Sequence, residues 1–466
     1  MDSKIFKVLF YITVILNVFL IISYLAYPII GDDSGFYIAI ARELYSGKIY
    51  FQEIGISYNP LSIIFFGIPY LFSDDPSYSL HLAINILFVL GSSSILYQIL
   101  KTFSFSKINN LFFSSFFVLL SLVLDGKYVM LEPVSVFFQL AAFFYYIQYL
   151  NDFKFKEIFL VGIFISLAFL SKQYGLFIAL PIGLHMLLKN RIKFKDISIL
   201  IAGCIVPIGL LYIYFLYYDM YLLEFINHIL GKGVQLDMGN GTGIGTSFFS
   251  YPLDFVYIII FNLYALLIPF LLLKYYRKLD NKRTLILVAA VTSLSVLIFA
   301  NYWHYYQYII PFWIILFVYL FEKIIKSKFK VLLALLFAVS LSFIGLYSVL
   351  SFSGKKYTIA IQEKTSTLLS KIIPIESEVY LDGLSPSYYY TCKLKSINLK
   401  KIGFTFPGYF YPKTIINNLN PGAYLIVSES KLQTYNNFIS DCNAQKIETN
   451  NQVYYIIMKK FNIDLL

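Results

Sequence analysis

The sequence predicts an α-helical polytopic membrane protein of about eleven transmembrane helices, followed by a small C-terminal α/β domain. Of its 466 residues, 59% are hydrophobic and 14% are charged, which is too little charge to cover a soluble protein of this size. Apolar segments of about 20 residues, the length that crosses a bilayer, recur along most of the chain. Many of the 42 tyrosines stand near segment ends, where an amphipathic ring suits the membrane interface.

Eleven apolar runs predict the spanning helices. They cover residues 5–30, 77–100, 107–124, 131–150, 157–171, 174–188, 197–218, 251–273, 284–300, 303–321 and 331–352. A shorter run from Pro60 to Phe72 predicts a re-entrant or interfacial helix, because it is too short to span. The first run follows Lys4 and Lys7 as a signal peptide would, but its apolar stretch is too long for one, so we expect an uncleaved helix.

The distribution of basic residues predicts the orientation. With a cytoplasmic N-terminus, nineteen Lys and Arg residues fall in inside loops: Lys4, Lys7, Lys101, Lys107, Lys154, Lys156, Lys189, Arg191, Lys193, Lys195, Lys274, Arg277, Lys278, Lys282, Arg283, Lys323, Lys326, Lys328 and Lys330. Five fall in the outside loops: Arg42, Lys48, Lys127, Lys172 and Lys232. This positive-inside bias supports the helix count and places the C-terminal region outside the cytoplasm. Because the net charge of +11 reflects these cytoplasmic clusters, we expect no nucleic-acid partner.

The chain divides into a transmembrane domain over residues 1–354 and an extracytoplasmic α/β domain over residues 355–466. The transmembrane domain has a long first outward loop, 31–76, and a second one, 219–250. The second loop contains a glycine-rich stretch, Gly239 to Gly245, that lacks the third glycine and the preceding strand of a dinucleotide-binding motif. We expect it to form a flexible lid.

The C-terminal region alternates predicted helices with strand-like runs, which is typical of a small α/β domain. The helices are expected near 358–372, 411–419 and 431–440, and the strands at 378–382, 423–428 and 452–458. We expect this domain to cap the membrane domain or to contribute to acceptor binding. Cys392 and Cys442 form a disulfide only if the region faces an oxidising compartment and their spacing allows it, and the sequence leaves both alternatives open.

An acidic pair, Asp32-Asp33, opens the first outward loop directly after the first span. A helix cap explains one aspartate well, because its carboxylate accepts backbone N–H groups at the start of the next helix. Two adjacent aspartates at a membrane surface are harder to explain by capping alone, because ionisable residues near the membrane are energetically costly and usually have a function. The pair is therefore a candidate for catalysis or for binding a divalent cation.

Several short motifs carry a more specific resemblance. They are the stretch from Asp33 to Tyr37, the segment Tyr58-Asn59-Pro60-Leu61, and the sequences around Glu132, Lys172 and His304-Tyr305. Together they resemble the GT-C superfamily of membrane glycosyltransferases, which use polyprenyl-phosphate sugars and include protein O-mannosyltransferases and lipid A aminoarabinose transferases. The resemblance covers roughly residues 5–321 and indicates a superfamily without indicating a substrate. The chain lacks the Trp-Trp-Asp-Tyr-Gly motif of the oligosaccharyltransferase branch.

The resemblance implies roles for individual residues. Asp33 is the candidate base that takes the proton of the acceptor hydroxyl, with Asp32 supporting it or helping to bind a divalent cation. The candidates for the donor-phosphate or substrate side are Lys172, His304, Tyr305, Glu132 and Glu53.

Three of the substrate-side candidates have an alternative interpretation. Lys172 is also explained as a snorkelling interface lysine, His304 as an interfacial hydrogen-bonding histidine, and Glu132 as a helix cap. The lipid A enzymes carry Glu-Lys-Pro-Pro where this chain has Tyr58-Asn59-Pro60-Leu61, and Glu53 is the proposed substitute for the missing carboxylate.

The expected partners are membrane lipid, a polyprenyl-phosphate-linked sugar, and a lipid, glycan or protein acceptor outside the cytoplasm. The main alternative is a multi-span transporter or a lipid or glycan flippase. Transporters often carry internal repeats and broken helices near the bilayer midplane. Here no convincing repeat is found and the polar residues gather at the outer face, so the sequence favours a glycosyltransferase of the cell membrane.

Overall fold

A computed structural model describes most of the membrane domain and parts of the C-terminal region. The described residues are 2–54, 58–188, 194–230, 281–296, 303–323, 363–375, 377–382, 387–393, 395–396, 424–428, 442–449 and 452–459. The glycine-rich stretch of the second outward loop and the predicted runs 251–273 and 331–352 lie outside these residues.

The described part of the chain is mostly helical. Its helices are α1 (Asp2–Ala26), α2 (Asp32–Tyr45), α3 (Pro60–Gly67), α4 (Tyr78–Thr102), α5 (Lys107–Ser121), α6 (Leu131–Asp152), α7 (Phe155–Ser171), α8 (Ala179–Leu188), α9 (Phe194–Leu216), α10 (Leu222–Ile229), α11 (Asn281–Ser293), α12 (Ile310–Lys323), α13 (363–372) and α14 (Ser387–Thr391). The other nine predicted runs each overlap one of these helices. Five described helices are long and apolar enough to cross a membrane, so the chain is a multi-pass membrane protein.

The first outward loop folds into two short helices, α2 and α3. Pro60 stands in the first turn of α3, where its fixed φ suits a helix start and its missing N–H costs nothing. A 3₁₀ turn, Ile68–Leu71, continues α3 to the end of the apolar run. The predicted short helix at Pro60–Phe72 is therefore confirmed.

Three helices are irregular at the ends that the predicted topology places outside. A π-helical turn, Leu122–Gly126, ends α5, and 3₁₀ turns precede α8 at Gln173–Ile178 and α12 at Trp303–Tyr308. The sequence predicted continuous helix at all three places, because apolar periodicity does not distinguish α from 3₁₀ or π turns. These irregular turns border the candidate site described below.

Close packing of α7 on α9 depends on two glycines. A Cβ atom on Gly162 would lie 2.1 Å from the Leu200 carbonyl oxygen, and one on Gly203 would lie 2.2 Å from the Phe159 carbonyl oxygen. Small residues of this kind let helix backbones approach closely. Close packing matters in a membrane because lipid is as apolar as the side chains, so the hydrophobic effect does not drive the helices together.

The C-terminal region contains a mixed five-stranded sheet. Its strands are β1 (Glu378–Asp382), β2 (Lys395–Ser396), β3 (Tyr424–Ser428), β4 (Cys442–Thr449) and β5 (Gln452–Lys459), in the order β2-β1-β3-β5-β4. β1 is parallel to β2 and β3, whereas β5 is antiparallel to β3 and β4. The three predicted strands are confirmed; β4 was missed because it is largely polar. The helices predicted near 411–419 and 431–440 lie outside the described residues.

The C-terminal region packs on the first outward loop. Ala39 of α2 belongs to the hydrophobic cluster formed by the sheet, α13 and α14. The Tyr390 hydroxyl donates to the Pro76 carbonyl at 3.0 Å, and Lys393 forms an ion pair with Asp75 at 2.7 Å. Cys392 is a buried free thiol in this cluster, so the structure does not contain the disulfide considered above.

Candidate active site

The acidic pair lies in the first turn of α2. Gly31 occupies the N-cap position with an extended backbone, and Asp32 and Asp33 follow it as the first two helical residues. Asp32 is therefore not the capping residue, although both carboxylates suit the positive end of the helix dipole. Asp33 is partly exposed, while the side chain of Asp32 lies outside the described part of the structure.

A buried ion pair lies at the outer ends of α6 and α7. Glu132, in the first turn of α6, is fully buried, and the Lys172 ammonium donates to its Oε1. Lys172 is only 4% exposed, whereas a snorkelling lysine would extend into water. The His304 Nε2 atom lies 3.6 Å from the same Glu132 oxygen. Two of the predicted basic candidates thus converge on one carboxylate.

The break after α7 places the Lys172 side chain in this group. Lys172 has an extended backbone (φ −161°, ψ 141°) between the end of α7 and the following 3₁₀ turn. Gly175, in that turn, donates its N–H to the Lys172 carbonyl at 2.8 Å, and a Cβ there would lie 2.1 Å from the Ala168 carbonyl oxygen. The turn can therefore fold back against α7 only with a residue that has no side chain.

Aromatic rings surround the ion pair. The Lys172 ammonium lies 4.7 Å from the centroid of the Tyr305 ring, within the range of a cation–π interaction. Tyr305 also packs against Tyr174 at 4.7 Å and against His304 at 4.4 Å between ring centroids. The 3₁₀ turns before α8 and α12 thus both contribute aromatic side chains to the group. Tyr305 and His304 are brought together with Lys172, as the resemblance implied.

Two phenols connect Asp33 with the ion pair. The rings of Tyr37 and Tyr58 pack edge to face, with ring centroids 5.4 Å apart. Burial raises the pKa of Tyr58; the Asp33 carboxylate raises it further, and the Lys172 ammonium lowers it. Burial also raises the pKa of Tyr37, with added contributions from Tyr58, Asp33 and Glu132. The acidic pair's helix and the buried ion pair therefore border one site, with these phenols between them.

Tyr37 and Tyr58 belong to motifs quoted in the sequence analysis, but neither was given a role there. Tyr37 follows Asp33 by four residues, which places both on one face of α2, and that spacing was the available signal. Tyr58 opens the Tyr58-Asn59-Pro60-Leu61 segment that carries the resemblance, but nothing in that segment indicated that its phenol lies at the site.

Glu53 does not join this group. Its carboxylate accepts the backbone N–H of Ile49 at 2.6 Å in an exposed turn. The adjacent Phe51 stacks on His228 of α10 at 4.9 Å and packs against Phe215 of α9. These contacts anchor the segment to α9 and α10, and the assignment of Glu53 to the substrate side of the site stays a prediction. The charges that shift the pKa values of the two phenols come from Asp33, Glu132 and Lys172.

A divalent cation was the one predicted cofactor candidate. Among the residues that the structure describes, no group of three or more His, Cys, Asp or Glu side chains could hold a metal ion. Of the described carboxylates at the site, Glu132 is already paired with Lys172. The described residues thus do not form a complete metal site, and no step is assigned to a cation.

Comparisons with known proteins agree on the fold. Residues 38–230 match the family described as dolichyl-phosphate-mannose-protein mannosyltransferase. ArnT from Cupriavidus metallidurans superposes with a TM-score of 0.63 at 12% identity, over 95% of this chain and 97% of ArnT. The chain has the GT-C fold. The same ArnT bound to undecaprenyl phosphate superposes equally well, over 96% of this chain and 97% of ArnT.

A second GT-C enzyme shares the fold. The apo oligosaccharyltransferase of Archaeoglobus fulgidus superposes with a TM-score of 0.56 at 12% identity, over 93% of this chain and 71% of that enzyme. No curated protein sequence matches the chain. The family match over residues 38–230 and the fold shared with these enzymes favour the glycosyltransferase prediction over the transporter or flippase alternative.

Proposed function

We propose that this GT-C protein transfers a sugar from a polyprenyl-phosphate donor to a lipid, glycan or protein acceptor on the outer side of the membrane. The observation that carries the proposal is the grouping of Asp33 and the buried Glu132–Lys172 pair around two phenols. Glycosyl transfer from a lipid phosphate needs a base on one side of the reacting carbon and positive charge on the other. The undecaprenyl phosphate bound by ArnT supports this donor class.

Asp33 serves as the base. Its carboxylate takes the proton of the acceptor hydroxyl while that oxygen forms a bond to the anomeric carbon of the donor sugar. The bond between the anomeric carbon and the phosphate oxygen breaks, and the polyprenyl phosphate leaves with the bonding electrons. Asp33 suits this role because it is partly exposed at the start of α2 and therefore accessible to an acceptor.

Lys172 binds the donor phosphate. An ammonium group has three N–H donors, and Glu132 accepts from one of them, which leaves donors for a phosphate oxygen. Glu132 keeps Lys172 charged and oriented, since a lone ammonium buried to this extent is costly. His304 and Tyr305 complete this side of the site.

The C-terminal region caps the site from the outside. Its α14 packs against α2, which begins with Asp32 and Asp33. This arrangement and the charge bias of the loops support a cytoplasmic N-terminus and an extracytoplasmic C-terminal domain. Asp32 and Asp33 are also the residues expected to hold a divalent cation if the reaction requires one.

The proposal is tested by comparing cells with and without the protein. Mass spectrometry of surface glycans, glycolipids and glycoproteins is expected to show one sugar missing from cells that lack it, and return of that sugar when the protein is restored. Identical glycans in both cell types would contradict the proposal. The mass difference would also identify the sugar and the acceptor.

A further inference from the structure

The end of α7 needs hydrogen-bond donors from elsewhere in the chain. The last four carbonyls of a helix have no partner within the helix, and here they belong to residues 168–171, immediately before Lys172. The Ala168 carbonyl accepts from the Ser135 hydroxyl of α6 at 3.0 Å and from the Lys172 N–H at 3.1 Å. The direction in which the chain leaves α7, and with it the position of Lys172, depends on such donors.

Two further donors come from the first outward loop. The Asn59 Nδ2 atom donates to the Phe169 carbonyl at 2.5 Å, and the Ser62 hydroxyl donates to the Ser171 carbonyl at 3.1 Å. Both side chains are fully buried. They belong to the N-cap and the first turn of α3, directly after Tyr58. The same loop that brings Tyr58 to the site therefore also holds the residues before Lys172.

Ser62 also reaches the other half of the ion pair. Its hydroxyl oxygen lies 3.5 Å from the carbonyl oxygen of Leu131, the residue before Glu132. One buried hydroxyl thus contacts the backbone beside both members of the pair. Displacement of this hydroxyl would change the position of Lys172 relative to Glu132 and to the phenol of Tyr58.

We propose that Asn59 and Ser62 are positioning residues that hold the Glu132–Lys172 pair in register with Tyr58. Their hydrogen bonds run to backbone carbonyls at the end of α7 and the start of α6. They act on the transfer reaction through Lys172, so their effect on catalysis rests on the proposed function, whereas their effect on the Lys172 environment does not.

The first measurement follows Lys172 directly in the full-length protein. Ser62→Ala and Asn59→Leu each remove one buried donor, and amine labelling with acetic anhydride is quantified by mass spectrometry. Lys154, whose side chain is 63% exposed, serves as the internal reference. We expect the labelling of Lys172 relative to Lys154 to rise about tenfold in each variant, the change expected from losing one buried hydrogen bond.

A matched control separates positioning from general loosening of α7. Ser166 is also buried on α7 and donates to the Cys204 carbonyl of α9 at 2.7 Å, one and a half turns before Lys172. Ser166→Ala removes a comparable hydrogen bond on the side of the helix that packs on α9. We expect it to leave the relative labelling of Lys172 and the rate of transfer within twofold of the wild type.

Transfer kinetics give the second measurement. Ser62→Ala and Asn59→Leu are expected to lower kcat about 10- to 100-fold with little change in the KM for the acceptor, because a small misplacement of Lys172 affects the transition state most. Unchanged Lys172 labelling in both variants would overturn the positioning proposal. If the wild type transfers no sugar from polyprenyl-phosphate donors, the proposed function is overturned. Increased Lys172 labelling in the two variants would still support the positioning role in that case.

Discussion

Removal of Glu132 should destabilise the protein by leaving Lys172 buried without its counter-charge. Glu132 is fully buried and Lys172 is 4% exposed, so neither charge can be compensated by water. Breaking a buried ion pair from one side costs about 3–5 kcal/mol, because the remaining charge is desolvated and unpaired. We therefore expect Glu132→Gln and Lys172→Met each to lower stability by this amount.

The double variant Glu132→Gln/Lys172→Met should recover most of that loss. It contains no unpaired charge, and replacing a whole buried pair by neutral side chains is often close to neutral for stability. Transfer activity should not recover, because the ammonium that we assign to the donor phosphate is absent. The pair thus allows stability and catalysis to be separated in one set of variants.

Thermal unfolding in detergent measures this cycle. One kcal/mol shifts the Tm by roughly 2–4 °C in chains of 150–250 residues and by less in a longer one, so each single variant should lose at least several degrees. Transfer assays on the same preparations provide the catalytic readout. If the double variant loses as much as the two single variants together, Glu132 and Lys172 do not form the buried pair described here.

Three further changes test other parts of the structure. Tyr58→Phe removes a phenol hydroxyl that the Asp33 and Lys172 charges both influence, and we expect about a tenfold loss of kcat at an unchanged Tm, measured by transfer kinetics and thermal unfolding. Gly162→Val should destabilise the α7–α9 contact, lowering the free energy of unfolding by about 1–3 kcal/mol, measured by thermal unfolding. Gly183→Ala is the control, because a Cβ added at Gly183 meets no atom within 4 Å. Tyr390→Phe removes the bond to the Pro76 carbonyl and should speed hydrogen exchange in α14 about tenfold, measured by mass spectrometry.

Composition and apolar periodicity predicted the spanning helices of the described membrane domain, because a spanning helix is a local property of the sequence, but they did not predict α2 or α10 in the outward loops. Charge counting also drew attention to Lys172 as one of five outward basic residues. The pairing of Lys172 with Glu132 could not be predicted, since it joins the ends of two helices 40 residues apart. Such a pairing depends on the way the helices pack.

Other features of the site lacked a local sequence signal. Asn59 and Ser62 resemble any polar residues at a helix start, and their partners are carbonyls about 110 residues away. Nothing in the sequence indicated that Phe51, two residues before Glu53, packs on α9 and α10. Proximity in sequence was a poor guide to proximity at the site.

The central claim is that Asp33 acts as the base in sugar transfer from a polyprenyl phosphate. It is tested most directly by comparing purified wild type with Asp33→Asn in a transfer assay with a polyprenyl-phosphate sugar, once the glycan analysis has identified sugar and acceptor. We expect the variant to lose at least about 100-fold in rate, the low end for a general base, at an unchanged Tm. Transfer at the wild-type rate by Asp33→Asn would contradict the account.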